Sequence, residues 1–408
     1  MGFNPFQEKG TPIENQFRNW EELNSAPYLS AEVHPYTRCR VILMNGIEAE
    51  GAFFSHNFSR HTDDTEIKRK LALTRRVEQQ QQKMINWLIP FTENHLEVTI
   101  GYEQVAVDLT AWLARTEPNT YVKAALDFAL LEDFDHLYRY ANLYELTQGK
   151  SADAIVGNLT EIFPGRPTIA EHRHPFDDLR RPYDGKKADI RTKLHVLTIT
   201  AAEQQTMNFY MNIGNRAETD LARGLYAEIG QIEEQHVSHY ESLADPNATW
   251  LEMLLLHEYN ECYLYYSCLS SEPDERIKNI WQRCLEDEIA HLHSAAELMR
   301  QFEGREPEEL FPHELPQLTL FQPNKEYVRK IEAAQVDLTA RDTDFVPVRE
   351  LGPDHRFFEY QTSVNGDGFV PSQEVIEENI QTQGRDYRLE TEGPHPVERL
   401  RAREHVTI

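Results

Sequence analysis

Glu203, Glu233, His236, Glu258, Glu288 and His291 follow a fixed rhythm. A Glu is followed thirty residues later by a second Glu, and three residues after that by a His. Two earlier groups repeat the rhythm with substitutions, Glu48/Glu78/Gln81 and Glu103/Asp133/His136. A shift of 55 positions carries the first group onto the second and the third onto the fourth, and a shift of 155 carries the first two onto the last two. Carboxylates with imidazoles suit transition-metal ions that accept mixed oxygen and nitrogen ligation. Residues three apart share a helical face, so Glu-x-x-His offers an imidazole to one ion and a carboxylate that bridges to a second. Two such groups would set four carboxylates against the four positive charges of two divalent ions. Without cations, four carboxylates in an apolar core would repel one another and take up protons.

The elements that position these residues are legible around them. Turn signals fall midway between the paired acids, at Asp63-Asp64, Glu117-Pro118-Asn119, Glu218-Thr219-Asp220 and Glu272-Pro273-Asp274. A proline beside small capping residues marks a helix start. Each group is therefore predicted to be a helix hairpin, with both acids at one level roughly 22 Å from the turn. The acids sit on the apolar stripe: Ile277, Trp281, Cys284, Glu288, His291, Ala295 and Leu298 keep a 4-3 or 3-4 spacing, as do Ala222, Tyr226, Ile229, Glu233, His236, Tyr240 and Leu243. That spacing marks an inward face. The chain thus divides into an irregular arm (1–38), a helical block (39–148), a Pro/Gly-rich connection (149–192), a second helical block (193–304) and a Pro-punctuated tail (305–408). The tail is expected to be extended, with little core of its own, wrapping the bundle or joining two copies into a homodimer.

With Glu203, Glu233-Glu234-Gln235-His236, Glu258 and Glu288-Ile289-Ala290-His291, the chain resembles the ferritin-like superfamily of carboxylate-bridged dimetal proteins. The resemblance implies an all-α fold of two tandem four-helix units. Glu203 and Glu258 would be single-helix ligands, Glu233 and Glu288 would bridge, and His236 and His291 would supply nitrogen. It also implies two Fe ions or an Fe/Mn pair, and an oxidoreductase acting on O2 or peroxide, with a small organic molecule as a further substrate. Iron handling of the ferroxidase type, without an organic substrate, is the alternative, and a metal-free helical scaffold is a third. The chain departs from the family in two ways. Gln81 and Asp133 stand where the second half has His236 and Glu288, which makes Glu103/Asp133/His136 a weaker candidate site. In addition, only 21 residues separate His236 from Glu258, whereas ferritins join their hairpins by a long crossover. Complete ligands favour packing the third group on the fourth; ferritin chain order would instead pack the second on the third.

Composition narrows the rest. The formal charge of −27 argues against a nucleic-acid or anionic-membrane surface. No apolar run is long enough to span a bilayer. Four cysteines without a CxxC pair, and an N-terminus without an apolar leader, fit a cytoplasmic protein. No Walker loop, nucleotide fingerprint or haem-attachment motif occurs, so no organic cofactor is expected. His172 and His174 resemble ligands, but their Pro-rich surroundings favour loop hydrogen bonds. Tyr226, Tyr240 and Trp281 are expected to pack the core near the acids.

Overall fold

Eight long helices each begin at a residue whose side chain accepts a hydrogen bond from a free backbone N–H of the first turn. These are α1 (Pro35–Arg60, capped by His34), α2 (Thr65–Asn86, Asp64), α3 (His95–Thr116, Asn94), α4 (Thr120–Gln148, Asn119), α5 (Ile190–Ile213, Asp189), α6 (Asp220–Glu241, Thr219), α7 (Trp250–Ser271, Thr249) and α8 (Glu275–Glu303, Asp274). Such caps satisfy donors that the helix itself leaves open, worth about 1 kcal/mol each. The two 29-residue helices, α4 and α8, end at Gly149 and Gly304, whose φ values of 63° and 65° are left-handed. This is a computed structural model describing residues 2–312 and 314–402, and the fold is all-α apart from one small hairpin. Among the described residues no helix is long and apolar enough to cross a membrane.

Consecutive helices pair as four hairpins, as the turn signals predict. Their arrangement is nested. The α3/α4 hairpin packs on α5/α6, and α1/α2 packs on α7/α8, while α1, α3, α5 and α7 make an inner layer. Two turn acids account for this order. Glu117, between α3 and α4, accepts from Thr192 Oγ1 at 2.5 Å and lies 2.7 Å from His195 Nδ1, both near the start of α5. Glu272, between α7 and α8, accepts from Thr37 Oγ1 at 2.6 Å and Arg40 Nη1 at 3.2 Å, both at the start of α1. Each turn therefore clasps the first turn of the hairpin it packs against. The ligand-bearing groups are consequently not shared as the tandem units 39–148 and 193–304 would require.

The irregular segments are docked rather than loose. The connection carries short helices at Asp153–Val156, packed on α3, and Thr168–Glu171, packed on α4. There Gly165 N and Thr168 N donate to the Asp135 carboxylate at 3.0 and 2.8 Å, and Arg166 N donates to Leu131 O at 2.9 Å. The tail departs from its expected extended form. It holds α9 (Lys325–Gln335), an antiparallel pair β1 (Leu338–Arg341) and β2 (Asp344–Pro347), α10 (Arg356–Asn365) and α11 (Pro371–Gln383). Val328, Ile331 and Val375 become buried where α9 packs on α4 and α11 on α4 and α6, while Phe358, Val364 and Phe369 stay exposed.

Candidate metal centre

The inward stripes of α3, α4, α5 and α6 meet at a group of acids and histidines with almost no solvent exposure. One ligand-type atom from each of Asp133, Glu203, Glu233 and His236 lies within 4.8 Å of the others, and Glu103, His136 and Glu233 form a second such group. Glu233 belongs to both. Its Oε1 lies 3.1 Å from His136 Nδ1 and its Oε2 lies 3.3 Å from His236 Nδ1. The carboxylate thus spans two imidazole nitrogens. Around it, Asp133 Oδ1 lies 3.2 Å from His236 Nδ1, while Glu103 Oε2, Asp133 Oδ2 and Glu203 Oε1 are buried with no hydrogen-bond partner. Unpartnered buried oxygens of this kind cost on the order of 1–3 kcal/mol apiece. Tyr210 Oη donates to Oε1 of Glu103.

The far side of each imidazole is fixed. His136 Nε2 lies 2.9 Å from Glu171 Oε2, and His236 Nε2 lies 2.8 Å from Glu132 Oε2. A carboxylate at Nε2 holds the proton there and leaves the Nδ1 lone pair toward the acids, the form in which imidazole binds metal. Glu132 is held in turn by Arg166 Nη1 at 2.9 Å and Arg173 Nη1 at 2.8 Å. Burial alone would raise the Glu132 pKa, but Arg173, His236 and Arg166 hold it low. Inside the centre the balance runs the other way. Burial pushes Glu103 and Glu203 well above the usual carboxyl range, and Asp133 upward as well. Burial opposes the charged forms of His136 and His236, yet the surrounding carboxylates raise both well above normal. The centre therefore holds protons when empty of cations, and its four carboxylates and two imidazoles match in type the donors of a dimetal pair.

The other ligand groups converge between α1, α2, α7 and α8. Glu78, Glu258 and His291 form one close group there, and Glu48, Glu261 and Glu288 another. Glu288 Oε2 lies 3.0 Å from His291 Nδ1, and Gln81 Nε2 donates to the other Glu288 oxygen and, at 3.2 Å, to Glu48 Oε1. Tyr265 Oη donates to Glu48 Oε1. His291 Nε2 faces Gln16 Oε1 at 2.7 Å, while the Gln16 amide nitrogen donates to Thr11 O and Asp287 O.

The six residues Glu203, Glu233, His236, Glu258, Glu288 and His291 therefore do not make one site. The first three join Glu103, Asp133 and His136, which the spacing ranks as the weaker set, and the last three join Glu48, Glu78 and Gln81. Completeness of one half was a poor guide: the second hairpin packs on the third and the first on the fourth, and the turn clasps join those same pairs. Sequence reading also passed over Glu132, Glu171, Gln16 and Glu261. Glu171 and Gln16 lie on segments without helical periodicity. Tyr210 and Tyr265 were findable, because each follows its Glu, 203 or 258, by seven residues. His174 caps the short turn at Pro175–Asp177, and His172 lies 3.6 Å from Glu228, so neither joins a centre. Tyr226 shares a hydrogen bond with Thr99, and Trp281 Nε1 donates to Glu272. Compared with protein-family models, curated proteins and solved structures, the chain finds no match in any of the three.

Proposed function

We propose that the centre between α3, α4, α5 and α6 holds two transition-metal ions, Fe or an Fe/Mn pair. On this reading the chain is a ferritin-like dimetal-carboxylate oxidoreductase of the cytoplasm that acts on O2 or peroxide. The observation that carries it is Glu233, whose two oxygens face the Nδ1 atoms of two histidines locked from behind by Glu171 and Glu132. Asp133 and Glu203 with His236 would hold one ion, and Glu103 with His136 the other. A bound pair of this type supplies electrons to O2 or peroxide. The protein's own part is to keep both imidazoles in the ligating form, to exclude water through the apolar stripes, and to hold a proton at Tyr210 Oη beside Glu103. An open groove of about 830 Å³ along α1, α3 and α5, lined by Tyr102, Gln204 and Phe209, would admit a small organic substrate.

Anaerobic Fe(II) loading followed by metal analysis and O2 uptake tests the reading. The two ions of the first centre should be lost with His136→Ala or with His236→Ala, while His291→Ala should leave those two in place. Loaded protein should consume O2 over many turnovers when a reductant is present. Uptake that stops once the bound iron is oxidised would favour iron handling instead. Absence of binding even at high Fe(II) would sink both.

A further inference from the structure

The second centre copies the first at every position but two, a Glu for an Asp and a Gln for a His, and the second exception changes its chemistry. At the 55 shift, Glu48 stands for Glu103, Glu78 for Asp133, Glu258 for Glu203, Glu288 for Glu233 and His291 for His236. Gln81 stands for His136. A nitrogen donor is thus missing from one of two positions, and an oxygen donor has arrived in its place: Glu261, three residues along α7 from Glu258, groups with Glu48 and Glu288. Room for it comes from α1. A Cβ on Gly51 would lie 2.7 Å from Glu261 Oε1, so the carboxylate occupies space that any side chain there would close. Ala106 and Thr206 hold the corresponding places in the first centre, and neither can ligate through a carboxylate.

The geometry points to a second metal site of unequal halves. Glu78, Glu258 and His291 form a nitrogen-containing position like those of the first centre, while Glu48, Glu261 and Glu288 form an all-oxygen position for a hard divalent cation of the Mn²⁺ class. Carboxylate-only sets suit Mn²⁺ and harder ions, and imidazole shifts preference toward later transition metals. Independent of the acids' clustering, Glu48 Oε2, Glu261 Oε2 and Gln81 Oε1 are buried in the centre with no hydrogen-bond partner. Five carboxylates here against four in the first centre strengthen the demand for a cation. The Gln16 amide, committed as a donor on its nitrogen, accepts at Oε1 and fixes the proton of His291 on Nε2, which leaves Nδ1 free to ligate.

Mn(II) titration of the chelator-stripped full chain, read by EPR and calorimetry, tests this. It is run in the wild type and in a Glu203→Gln/Glu233→Gln chain, where the first centre loses two of its four carboxylates. Mn(II) should bind in both. Within the double variant, Glu261→Gln and Gly51→Ala should each weaken Mn(II) binding about tenfold or more. Gln81→His added to Glu261→Gln should restore binding of Zn(II) at this position but not of Mn(II). Mn(II) binding indifferent to Glu261→Gln and to Gly51→Ala, in chains whose circular dichroism matches wild type, would overturn the proposal. So would absence of Mn(II) binding in the double variant. The site does not rest on the proposed function: metal at the second centre with none at the first would sink that function and leave this site standing.

Discussion

His136 Nε2 lies 2.9 Å from Oε2 of Glu171, thirty-five residues away on a segment with no long helix. The connection therefore supplies the group that orients a candidate ligand. Replacing Glu171 by Leu removes that acceptor without touching the acids. Metal affinity at the first centre should fall roughly 10- to 100-fold, and Glu171→Gln, which keeps an acceptor oxygen, should lose much less. Anaerobic Fe(II) or Mn(II) calorimetry measures both. Equal losses would mean that charge, and not orientation, is what Glu171 contributes.

Gly165 anchors the same connection to α4. A Cβ there would lie 2.3 Å from Leu131 O and 2.7 Å from Asp135 N, both backbone atoms that have little room to give. Gly165→Ala should cost about 1–3 kcal/mol in denaturant unfolding of the metal-free chain. It should also weaken metal binding at the first centre, because Glu171 rides on the displaced segment. Unfolding midpoints and metal titration of one variant preparation give the two readings together.

Acidification should weaken metal binding at the first centre. Burial raises Glu103, Glu203 and Asp133, and carboxylates raise His136 and His236 against the opposing effect of burial. Groups with raised pKa hold protons that an incoming ion must displace, so affinity climbs with pH, up to about tenfold per unit for each proton released. Calorimetry in buffers of different ionisation enthalpy should show more than one proton released per loaded centre near pH 7. Stability of the metal-free chain carries a related sign at His291, where burial opposes the charge but Glu288, Glu258 and Glu78 raise the pKa from 6.5 to about 10. Its contribution is full below about pH 6.5 and is lost as pH rises toward 10. The stability difference between wild type and His291→Gln should shrink across that interval.

Arg173 is fully buried, with Nη1 at 2.8 Å from Glu132 and Nε at 2.8 Å from Asp178. Arg173→Met strips Glu132 and Asp178 of a partner and should destabilise the fold by about 3–5 kcal/mol. Changing Glu132 and Arg173 together to Gln and Met should cost less than the sum of the single changes, as a double-mutant cycle in urea would show.

Helix hairpins were legible because a strong apolar period, side-chain caps and midway turns all agree around each acid. The convergence of Glu and His on buried stripes was legible too, since polar residues there break an otherwise apolar period. Partnership between hairpins was not, although its determinants are present in the sequence. Thr116-Glu117-Pro118-Asn119 and Ser271-Glu272-Pro273-Asp274 are alike at the 155 shift, and so are Thr37 and Thr192, the residues their acids grip. A hydrogen bond across 235 positions leaves no local period to detect. Glu171 and Gln16 escaped for a related reason: irregular backbone carries no spacing rule from which a side chain's direction can be read.

Nesting also sets an order of manufacture. Every candidate ligand of the first centre lies between residues 103 and 236, and Glu132 and Glu171 fall inside that span, whereas the second centre needs residues from 48 through 291. A chain emerging from the ribosome N-terminus first can close the inner centre while α7 and α8 are still unmade. Glu48 and Glu78 must wait through that interval for their partners. The α1/α2 hairpin is thus the stretch of newborn chain most in need of shelter, and α8, the last of the eight long helices, completes the oldest acids.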